Sequence, residues 1–389
     1  MTRRPTVRSV HQNGLMNEPQ EQHLAGCVVL VTADRRSTEL AAALTRHGAE
    51  IRHAPAISMV PILNDDELIA TTRGVIAQQP DVVVVTTGIG FRGWIEAADA
   101  HGIADELVDA LRRSRLVARG PKARGAIQAA GLVADWVAES ETAAEIAEYL
   151  LEEGVAGLRI AVQHHGSGAD GLDEAFLAAG AAVDSLVVYR WGPPRDPEAV
   201  RASVRDCASG VIDAVVFTSA PGAAAWLEAA ERDDRLDALV ASFREGFAIA
   251  VAVGPITAGP LRAAGVEPIV PERGRLGALI RILVAHYASR RGAALLTVAG
   301  PLLLRNTSAV LAGRVLDLTP TGFAVLRALA RAEGGVVCRD DLLDELPGAS
   351  RDTHAVEVAI ARLRQAAGEP RLVRTVIKRG YRLELVSDV

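Results

Sequence analysis

Short apolar runs alternate with helical segments through the first three hundred residues, and this alternation restricts the fold more than any other feature. "CVVLVTADRR" leads into "STELAAALTRHGAE", and the pattern recurs in "DVVVVTTGIGFRGWIEAADA", "DAVVFTSAPGAAAWLEAA" and "FAIAVAVGPITAGPLRAAG". Each repeat has a buried type of strand, a Gly, Ser or Thr turn, and a helix. Such units form parallel sheets covered by helices on both faces. Six or more units in about 260 residues favour two small α/β lobes over one sheet.

The turns between strand and helix are the candidate binding positions. In open α/β sheets they lie at the carboxyl ends of the strands, where free N–H groups and the helix dipole favour anions. Ordinary helix capping explains any one of them, but several around one cleft would suit a single polyanion. Besides the turn at residues 166–168, the candidate ligand residues are Thr86, Thr87, Gly88, Arg119, Lys122, His164, Thr218, Ser219 and Gly254.

Two motifs in these turns have competing interpretations. "GIGFRG" has the G-x-G-x-x-G spacing of a dinucleotide site, but that site requires an acid at the end of the next strand, and "RLVARG" ends in Arg119. "HHG" at residues 164–166 suits a metal or proton-transfer site, yet spacing supplies no third ligand, so a loop facing the cleft is favoured. We therefore expect neither a nucleotide cofactor nor a metal.

Composition narrows the class of protein. The apolar runs are far shorter than the ~20 residues of a membrane span, so no membrane contact is expected. Residues 1–23 are polar without an apolar stretch and are predicted to be a disordered tail. The three cysteines are far apart and form no C-x-x-C pair, which suits core packing in a reducing cytoplasm.

The order of motifs over residues 24–288 resembles uroporphyrinogen-III synthase. "VLVTADRR…LTRHGAEIRHAPAISMVP" is similar to the opening of that family, "DAVVFTSAPGAAAWL" to its strand and Thr-Ser turn, and "VAVGPITAGPLRAAG" to its Gly-Pro-x-Thr-Ala segment. "AAVDSLVVYRW" carries its Val-Tyr linker strand. The resemblance implies a domain over residues 24–290 with two α/β lobes joined by two strands. One lobe would comprise about 24–58 and 194–288, the other about 62–187.

The resemblance also implies a reaction and roles for individual residues. The family cyclises hydroxymethylbilane, inverts its last pyrrole ring and releases water without a metal or organic cofactor. Its substrate is a polycarboxylate, which suits N–H groups and hydroxyls at helix N-termini. Tyr189 would assist departure of the hydroxyl group, while Thr257 and Ser219 would hold carboxylates. Arg119 and Lys122 depart from the family pattern, and would either tighten carboxylate binding or mark a site adapted for sensing.

The last ninety residues have a different pattern. "ALLTVAGPLLLRNTSAVLAGRVLDLTP" predicts short antiparallel strands with turns near Gly300, Asn306 and Gly313. "TPTGFAVLRALARAEGG" predicts a helix capped by Thr319, "CRDDLLDELPG" a second helix and "RDTHAVEVAIARLRQAAG" a third. "LVRTVIKRGYRLEL" predicts a closing hairpin. The sequence therefore predicts a separate α+β module after the parallel-sheet domain.

This module is basic in an otherwise acidic chain. Residues 1–300 have 29 basic and 37 acidic residues, whereas residues 353–382 have 7 and 2. The closing hairpin is either a charged edge or a surface that meets an anion. The element order over residues 293–386 resembles an OmpR/PhoB-type winged-helix DNA-binding domain, although a winged helix for protein contacts is an alternative. The resemblance implies a recognition helix from Thr353 and a basic wing. The expected DNA-binding residues are His354, Arg362, Arg364, Thr375, Lys378, Arg379 and Arg382.

With both modules, the chain resembles a group of actinobacterial regulators associated with nitrate and nitrite assimilation. Two function classes remain open. In the first, the protein is a cytoplasmic transcriptional regulator whose partners are promoter DNA and a tetrapyrrole-type polyanion, with a homodimer on DNA left open. In the second, it is an active uroporphyrinogen-III synthase with an accessory winged helix. Arg119, Lys122 and the altered turn at Thr86 favour the regulator.

Overall fold

The computed structural model describes residues 22–61, 66–164, 166, 170–289, 294–347 and 353–386. The chain divides into two compact units. Unit one comprises Met1–Ala56 and Asp196–Val389, and unit two comprises Ile57–Arg195. Each unit has a parallel sheet, and unit one also holds the C-terminal module. The predicted fold class, α/β followed by a smaller module with β-hairpins and helices, is confirmed.

The strands and helices are numbered in chain order. The strands are β1 (Val28–Val31), β2 (Glu50–His53), β3 (Ser58–Pro61), β4 (Val82–Val85), β5 (Arg115–Ala118), β6 (Trp136–Val137), β7 (Arg159–His164), β8 (Ala182–Val187), β9 (Tyr189–Gly192), β10 (Ala214–Phe217), β11 (Ile249–Ala252), β12 (Leu295–Thr297), β13 (Gly300–Leu304), β14 (Ala309–Leu311), β15 (Arg314–Val315), β16 (Val373–Val376) and β17 (Gly380–Leu383). The helices are α1 (Ser37–Arg46), α2 (Asp66–Gln78), α3 (Gly88–Ala100), α4 (Ala104–Arg113), α5 (Pro121–Ala129), α6 (Ala143–Glu153), α7 (Leu172–Ala178), α8 (Pro197–Ala208), α9 (Ala220–Arg232), α10 (Leu236–Arg244), α11 (Pro255–Ala263), α12 (Leu276–Ser289), α13 (Pro320–Arg331), α14 (Arg339–Asp344) and α15 (Thr353–Ala367).

The parallel sheet of unit one has the strand order β11-β10-β1-β2. Every residue of β1 and β10 is buried. Successive side chains point to opposite faces, so Val28 and Leu30 join one core while Val29 and Val31 join the other. Helices cover both faces, which explains why these strands are apolar runs without alternation.

Unit two has a parallel sheet of order β6-β5-β4-β7-β8. The four valines of β4 are at most 3% exposed and divide between two cores, Val83 and Val85 on one face and Val82 and Val84 on the other. A separate antiparallel ribbon pairs β3 with β9, with Pro61 opposite Tyr189. The ribbon contains Tyr189 and Trp191, which belong to the strand that the sequence analysis compared with a linker strand.

The C-terminal module starts with an antiparallel sheet of order β12-β13-β14-β15. Thr319 caps α13 as predicted, because its hydroxyl oxygen accepts from the N–H of Gly322 at 3.1 Å. The hairpin β16–β17 follows α15, and Val337 adds a bridge to Tyr381. One core joins α13, α14, α15 and the hairpin. The predicted second helix is shorter than "CRDDLLDELPG" and ends at Asp344.

The remaining predictions concern the N-terminal tail, the cysteines, membrane-spanning helices and metal sites. Residues 1–21 of the predicted tail and Gly168 lie outside the described residues, but residue 23 belongs to unit one, since its carbonyl oxygen accepts from Arg305. Cys27 and Cys207 are buried in the cores, and burial raises the pKa of each thiol to about 12. Within the described ranges, no helix is long and apolar enough to cross a membrane, and no group of three or more His, Cys, Asp or Glu is placed to hold a metal.

Candidate ligand site and nucleic-acid interface

The turn after β4 uses its threonine hydroxyls to hold its own shape. Thr86 is 2% exposed, and its hydroxyl donates to the carbonyl oxygen of Gln163 at 2.8 Å. Thr87 caps α3, and its hydroxyl oxygen accepts from the N–H of Gly90 at 3.0 Å. The Thr86 hydroxyl therefore donates its hydrogen within the fold, and the Thr87 hydroxyl oxygen serves as a helix cap. The turn offers a ligand the first N–H groups of α3 and the positive end of the helix dipole.

Packing explains the glycines of "GIGFRG". A Cβ atom at Gly88 would clash with the carbonyl oxygen of Lys122, and one at Gly90 would clash with the side-chain amide of Gln163. These positions let α3 approach α5 and β7 closely, so the spacing needs no dinucleotide to account for it.

Two cations lie at the carboxyl end of β5. Burial lowers the pKa of the Arg119 guanidinium, and electrostatic interactions with Tyr189, Asp170 and Glu141 partly offset that effect. An arginine remains cationic at neutral pH even so. Lys122 is exposed in the first turn of α5, which Gly120 and Pro121 open. A half-buried arginine beside an exposed lysine and a helix N-terminus forms an anion-attracting edge.

Tyr189 is the first residue of β9 and lies beside this edge. Its side chain is 6% exposed, and its ring meets that of Trp191 edge to face at 5.5 Å. Gly166 lies against the same ring, where a Cβ atom would approach Tyr189 to 2.5 Å. Tyr189 also interacts electrostatically with Arg119, and the sequence assigned both residues to one site.

His164 does not face a cleft, and the prediction that it binds a ligand directly is corrected. Its side chain is fully buried, with Nδ1 3.1 Å from an oxygen of Asp170 and Nε2 2.9 Å from Asp173. Burial alone would lower the pKa of His164, but hydrogen bonds and charges from both carboxylates outweigh burial and raise it to about 9. The imidazolium therefore links the end of β7 to the first turn of α7.

Unit one carries the other predicted turns. Ser219 caps α9, with its hydroxyl oxygen accepting from the N–H of Gly222 at 3.2 Å, and Thr218 is half-buried before it. Gly254 precedes α11, and Thr257, 5% exposed, lies in the first turn of that helix. Sequence reasoning missed Ile256, whose 71% exposure between these residues offers an apolar contact to a ligand.

In the C-terminal module, the predicted DNA-binding residues of α15 separate into two kinds. Arg362 and His354 are exposed, and His354 lies 3.6 Å from Glu357. Arg364 is different, because its guanidinium donates to the carbonyl oxygen of Val373 at 2.9 and 2.6 Å and to the hydroxyl of Thr375 at 2.9 Å. Arg364 thus holds α15 to β16 and is not the free side chain that the predicted DNA contact requires, whereas Thr375 bonds Arg364 and remains exposed.

The wing also differs from the prediction in one residue. Lys378 and Arg379 are exposed in the turn of the hairpin, where Lys378 has a φ of 62°. Arg382 instead donates to Glu384 at 3.0 Å and is half-buried, so it is not a free cation of the wing tip. Arg374, directly opposite Arg382, lies 3.5 Å from the same Glu384 carboxylate but is 62% exposed, and sequence reasoning missed it because it precedes the dense basic stretch.

Comparisons with known proteins match the parallel-sheet part of the chain and the C-terminal module separately. The family model of uroporphyrinogen-III synthase HemD matches residues 38–281, and that of the transcriptional regulatory protein, C terminal, matches residues 313–383. The uncharacterized protein YjjA of Bacillus subtilis is 28% identical over 268 residues, covering 69% of this chain and 98% of YjjA.

Two further relatives each match one of the two parts. A mutant uroporphyrinogen III synthase of Thermus thermophilus is 27% identical with a TM-score of 0.55, covering 68% of this chain and 99% of that one. The transcriptional regulatory protein CutR of Streptomyces coelicolor is 40% identical over 73 residues, 18% of this chain and 34% of CutR. The chain belongs to the uroporphyrinogen-III synthase HemD family and carries, fused to that domain, a C-terminal transcriptional regulatory DNA-binding domain.

Proposed function

We propose that the chain is a transcriptional regulator that binds promoter DNA and whose synthase-like domain binds a tetrapyrrole-type polycarboxylate. The observation that carries this proposal is the presence of both modules in one chain, each with exposed groups that suit its anion. Arg362, Lys378 and Arg379 are exposed on the C-terminal module. Lys122, beside the half-buried Arg119, is exposed at a helix N-terminus of the synthase-like domain.

The electrostatics of the synthase-like domain support a ligand with several carboxylates. Each unit places helix N-termini at the carboxyl ends of its parallel strands, α3 and α5 in unit two and α9 and α11 in unit one. A helix N-terminus stabilises a nearby anion by about 0.3–1 kcal/mol. A polycarboxylate that meets both helix N-termini of one unit gains from each, and in unit two also from Arg119 and Lys122, whereas a monoanion gains from few.

The regulator proposal is tested by selection of duplexes from a random library with the purified full-length chain. A regulator enriches a recurrent sequence, because exposed side chains on the recognition helix read base edges. Arg362→Ala should weaken binding to the enriched sequence more than to unrelated DNA. Failure to enrich any sequence would instead favour a winged helix that serves protein contacts.

The second candidate is an active uroporphyrinogen-III synthase, which the position of Tyr189 favours. The phenol begins the linker strand beside Arg119, where a hydroxyl group could assist a leaving group. The assay is conversion of hydroxymethylbilane to the type III isomer. If turnover occurs, Tyr189→Phe should lower kcat more than it raises KM, since the hydroxyl acts in the step that releases water. Equal turnover by variant and wild type would remove Tyr189 from the mechanism.

Three finer proposals rest on the resemblance to actinobacterial regulators. They are a role in nitrate and nitrite assimilation, a cytoplasmic location and a homodimer on DNA. Sirohaem, which is made from uroporphyrinogen III and serves assimilatory nitrite reductase, supplies the chemical link between such a ligand and such a role. Sedimentation of the chain with and without the selected duplex tests the dimer.

A further inference from the structure

One turn of the C-terminal module makes a set of hydrogen bonds with the synthase-like part of unit one. This docking turn, residues 305–308, joins β13 to β14 and lies at the amino ends of β1, β10 and β11. The backbone N–H of Asn306 donates to Asp213 Oδ1 at 3.1 Å. Its side-chain amide donates to the carbonyl oxygens of Ile212 at 3.0 Å and Phe247 at 2.5 Å. One asparagine therefore bonds the segments that lead into β10 and β11.

The first and last residues of the docking turn, Arg305 and Ser308, bond the segment that leads into β1. Arg305 donates to the carbonyl oxygen of His23 at 3.1 Å, and its guanidinium lies 4.9 Å from the ring centre of Tyr287. Ser308 donates to the carbonyl oxygen of Gly26 at 2.7 Å. Gly26 has a φ of 74°, and a Cβ atom there would clash with the Ser308 hydroxyl. The synthase-like part is thus shaped to receive this turn.

Asp213 is the centre of the contact. It is 4% exposed, and its second oxygen accepts from the N–H of Val28 at 2.7 Å. Burial raises the pKa of the Asp213 carboxyl to about 6, against the hydrogen bonds from Val28 and Asn306, which lower it. A buried carboxylate is costly unless donors surround it, so undocking of the turn, which removes the backbone N–H of Asn306, leaves this group less satisfied. Docking and the packing of β10 are therefore energetically connected.

The same strands reach the candidate ligand turns. β10 runs from Asp213 to the turn of Thr218 and Ser219, and β11 runs from the segment after Phe247 to Gly254. Four residues of strand span about 13 Å. The docking turn and the predicted carboxylate-binding turns thus lie at opposite ends of two short, paired strands.

We propose that the docking turn couples the C-terminal module to the synthase-like part, so that occupancy of the ligand turns and DNA binding each change the affinity for the other. The ligand half of this proposal rests on the proposed function. The docked turn is the physical connection, and such coupling acts equally in both directions.

Hydrogen exchange of the full-length chain tests the connection without the tetrapyrrole. The probe is a short duplex of arbitrary sequence at low salt, where non-specific binding is favoured. DNA at a concentration of about 100 times its Kd should stabilise the C-terminal module. Amides that exchange only when this module unfolds should then exchange about 100-fold more slowly. Coupling predicts slower exchange in β1 and β10 as well as in α13 and α15. Slowing confined to the C-terminal module of the wild type would overturn the proposal.

Variants of the docking turn identify the residues responsible. Asn306→Ala and Ser308→Ala should each reduce the protection that DNA gives to β1 and β10, while protection of α15 persists. Ser308→Ala serves if Asn306→Ala fails to fold. Thr307→Ala is the matched control, because Thr307 is exposed in the same turn and should leave the coupling intact. Equal protection of β1 and β10 in all four proteins would exclude the docking turn as the route.

A second arm adds uroporphyrinogen III. Saturating ligand should change the Kd for DNA in the wild type and in Thr307→Ala, with a smaller change in Asn306→Ala. If the ligand binds and leaves the wild-type Kd unchanged, the coupling proposal is wrong although the ligand proposal stands. If the ligand does not bind, the proposed function fails, and the exchange experiment alone decides the coupling.

Discussion

At the scale of single residues, His164 shows which features of the site could be predicted from the sequence and which could not. The motif "HHG" marked the end of a strand correctly, since His164 is the last residue of β7 and strand ends follow from apolar periodicity. The carboxylates that enclose it lie six and nine residues further along the chain. No periodicity predicts such a contact. Buried polar partners for Thr86 and Arg364 escaped prediction for the same reason.

The buried histidine gives a pH dependence with a definite sign. Its pKa is about 9 in the folded chain against an ordinary 6.5, so protonation stabilises the folded state below pH 6.5, and the contribution is lost as pH rises through 9. The loss is on the order of 3 kcal/mol. Urea unfolding at several pH values should show it for the wild type and show less for His164→Gln, the difference isolating this group. Parallel curves for the two proteins would contradict the assignment.

Tyr381 yields a prediction about stability. It is 4% exposed in the core that includes Val356 and Ile360 of α15, and its backbone bonds Val337 in both directions. Removing a buried aromatic ring costs about 3–5 kcal/mol. Tyr381→Ala should therefore lower the melting temperature of the C-terminal module, measured by calorimetry on the full-length chain. An unchanged transition would mean that the ring does not support the hairpin.

At the scale of elements, the wing shows that a turn interrupts the alternation of side chains expected in a continuous strand. In an extended strand, Arg379 would face away from Lys378 and Arg382. The strands end at Val376 and resume at Gly380, so Lys378 and Arg379 share the turn, while Arg382 lies within β17 against Glu384. The hairpin itself was predictable from its sequence. The length of its turn decided which cations are available.

The wing is expected to meet phosphate. Each lost phosphate contact reduces the slope of log K against log salt by about 0.9, so Lys378→Ala with Arg379→Ala should flatten the slope by roughly one to two units. Binding to specific and non-specific DNA should weaken alike, since phosphate carries no sequence. Arg205→Ala, which removes a cation from α8, is the control. Unchanged affinity and slope in the double variant would show that the wing does not touch DNA.

At the scale of the whole molecule, the sequence predicted the modules better than the contact between them. Strand and helix alternation was enough for the parallel sheets, since each strand and the helix after it are close in the chain. The bond from Asn306 to Asp213 joins residues 93 apart, and that from Arg305 to His23 joins residues 282 apart. Polar turn residues such as Asn306 look alike whether they face water or a neighbouring sheet. Only the folded chain distinguishes the two.

The central claim is that the synthase-like domain binds a tetrapyrrole-type polycarboxylate, and one titration tests it most directly. Uroporphyrinogen III is added anaerobically to the full-length chain at low salt, and tryptophan fluorescence is followed. Trp191 is the expected reporter, since its ring lies 5.5 Å from Tyr189, whereas Trp94 and Trp226 are fully buried and Trp136 stacks on Tyr149 at 4.0 Å. The account predicts a saturable change that weakens with salt and in Arg119→Gln. No saturable change up to millimolar ligand would contradict it.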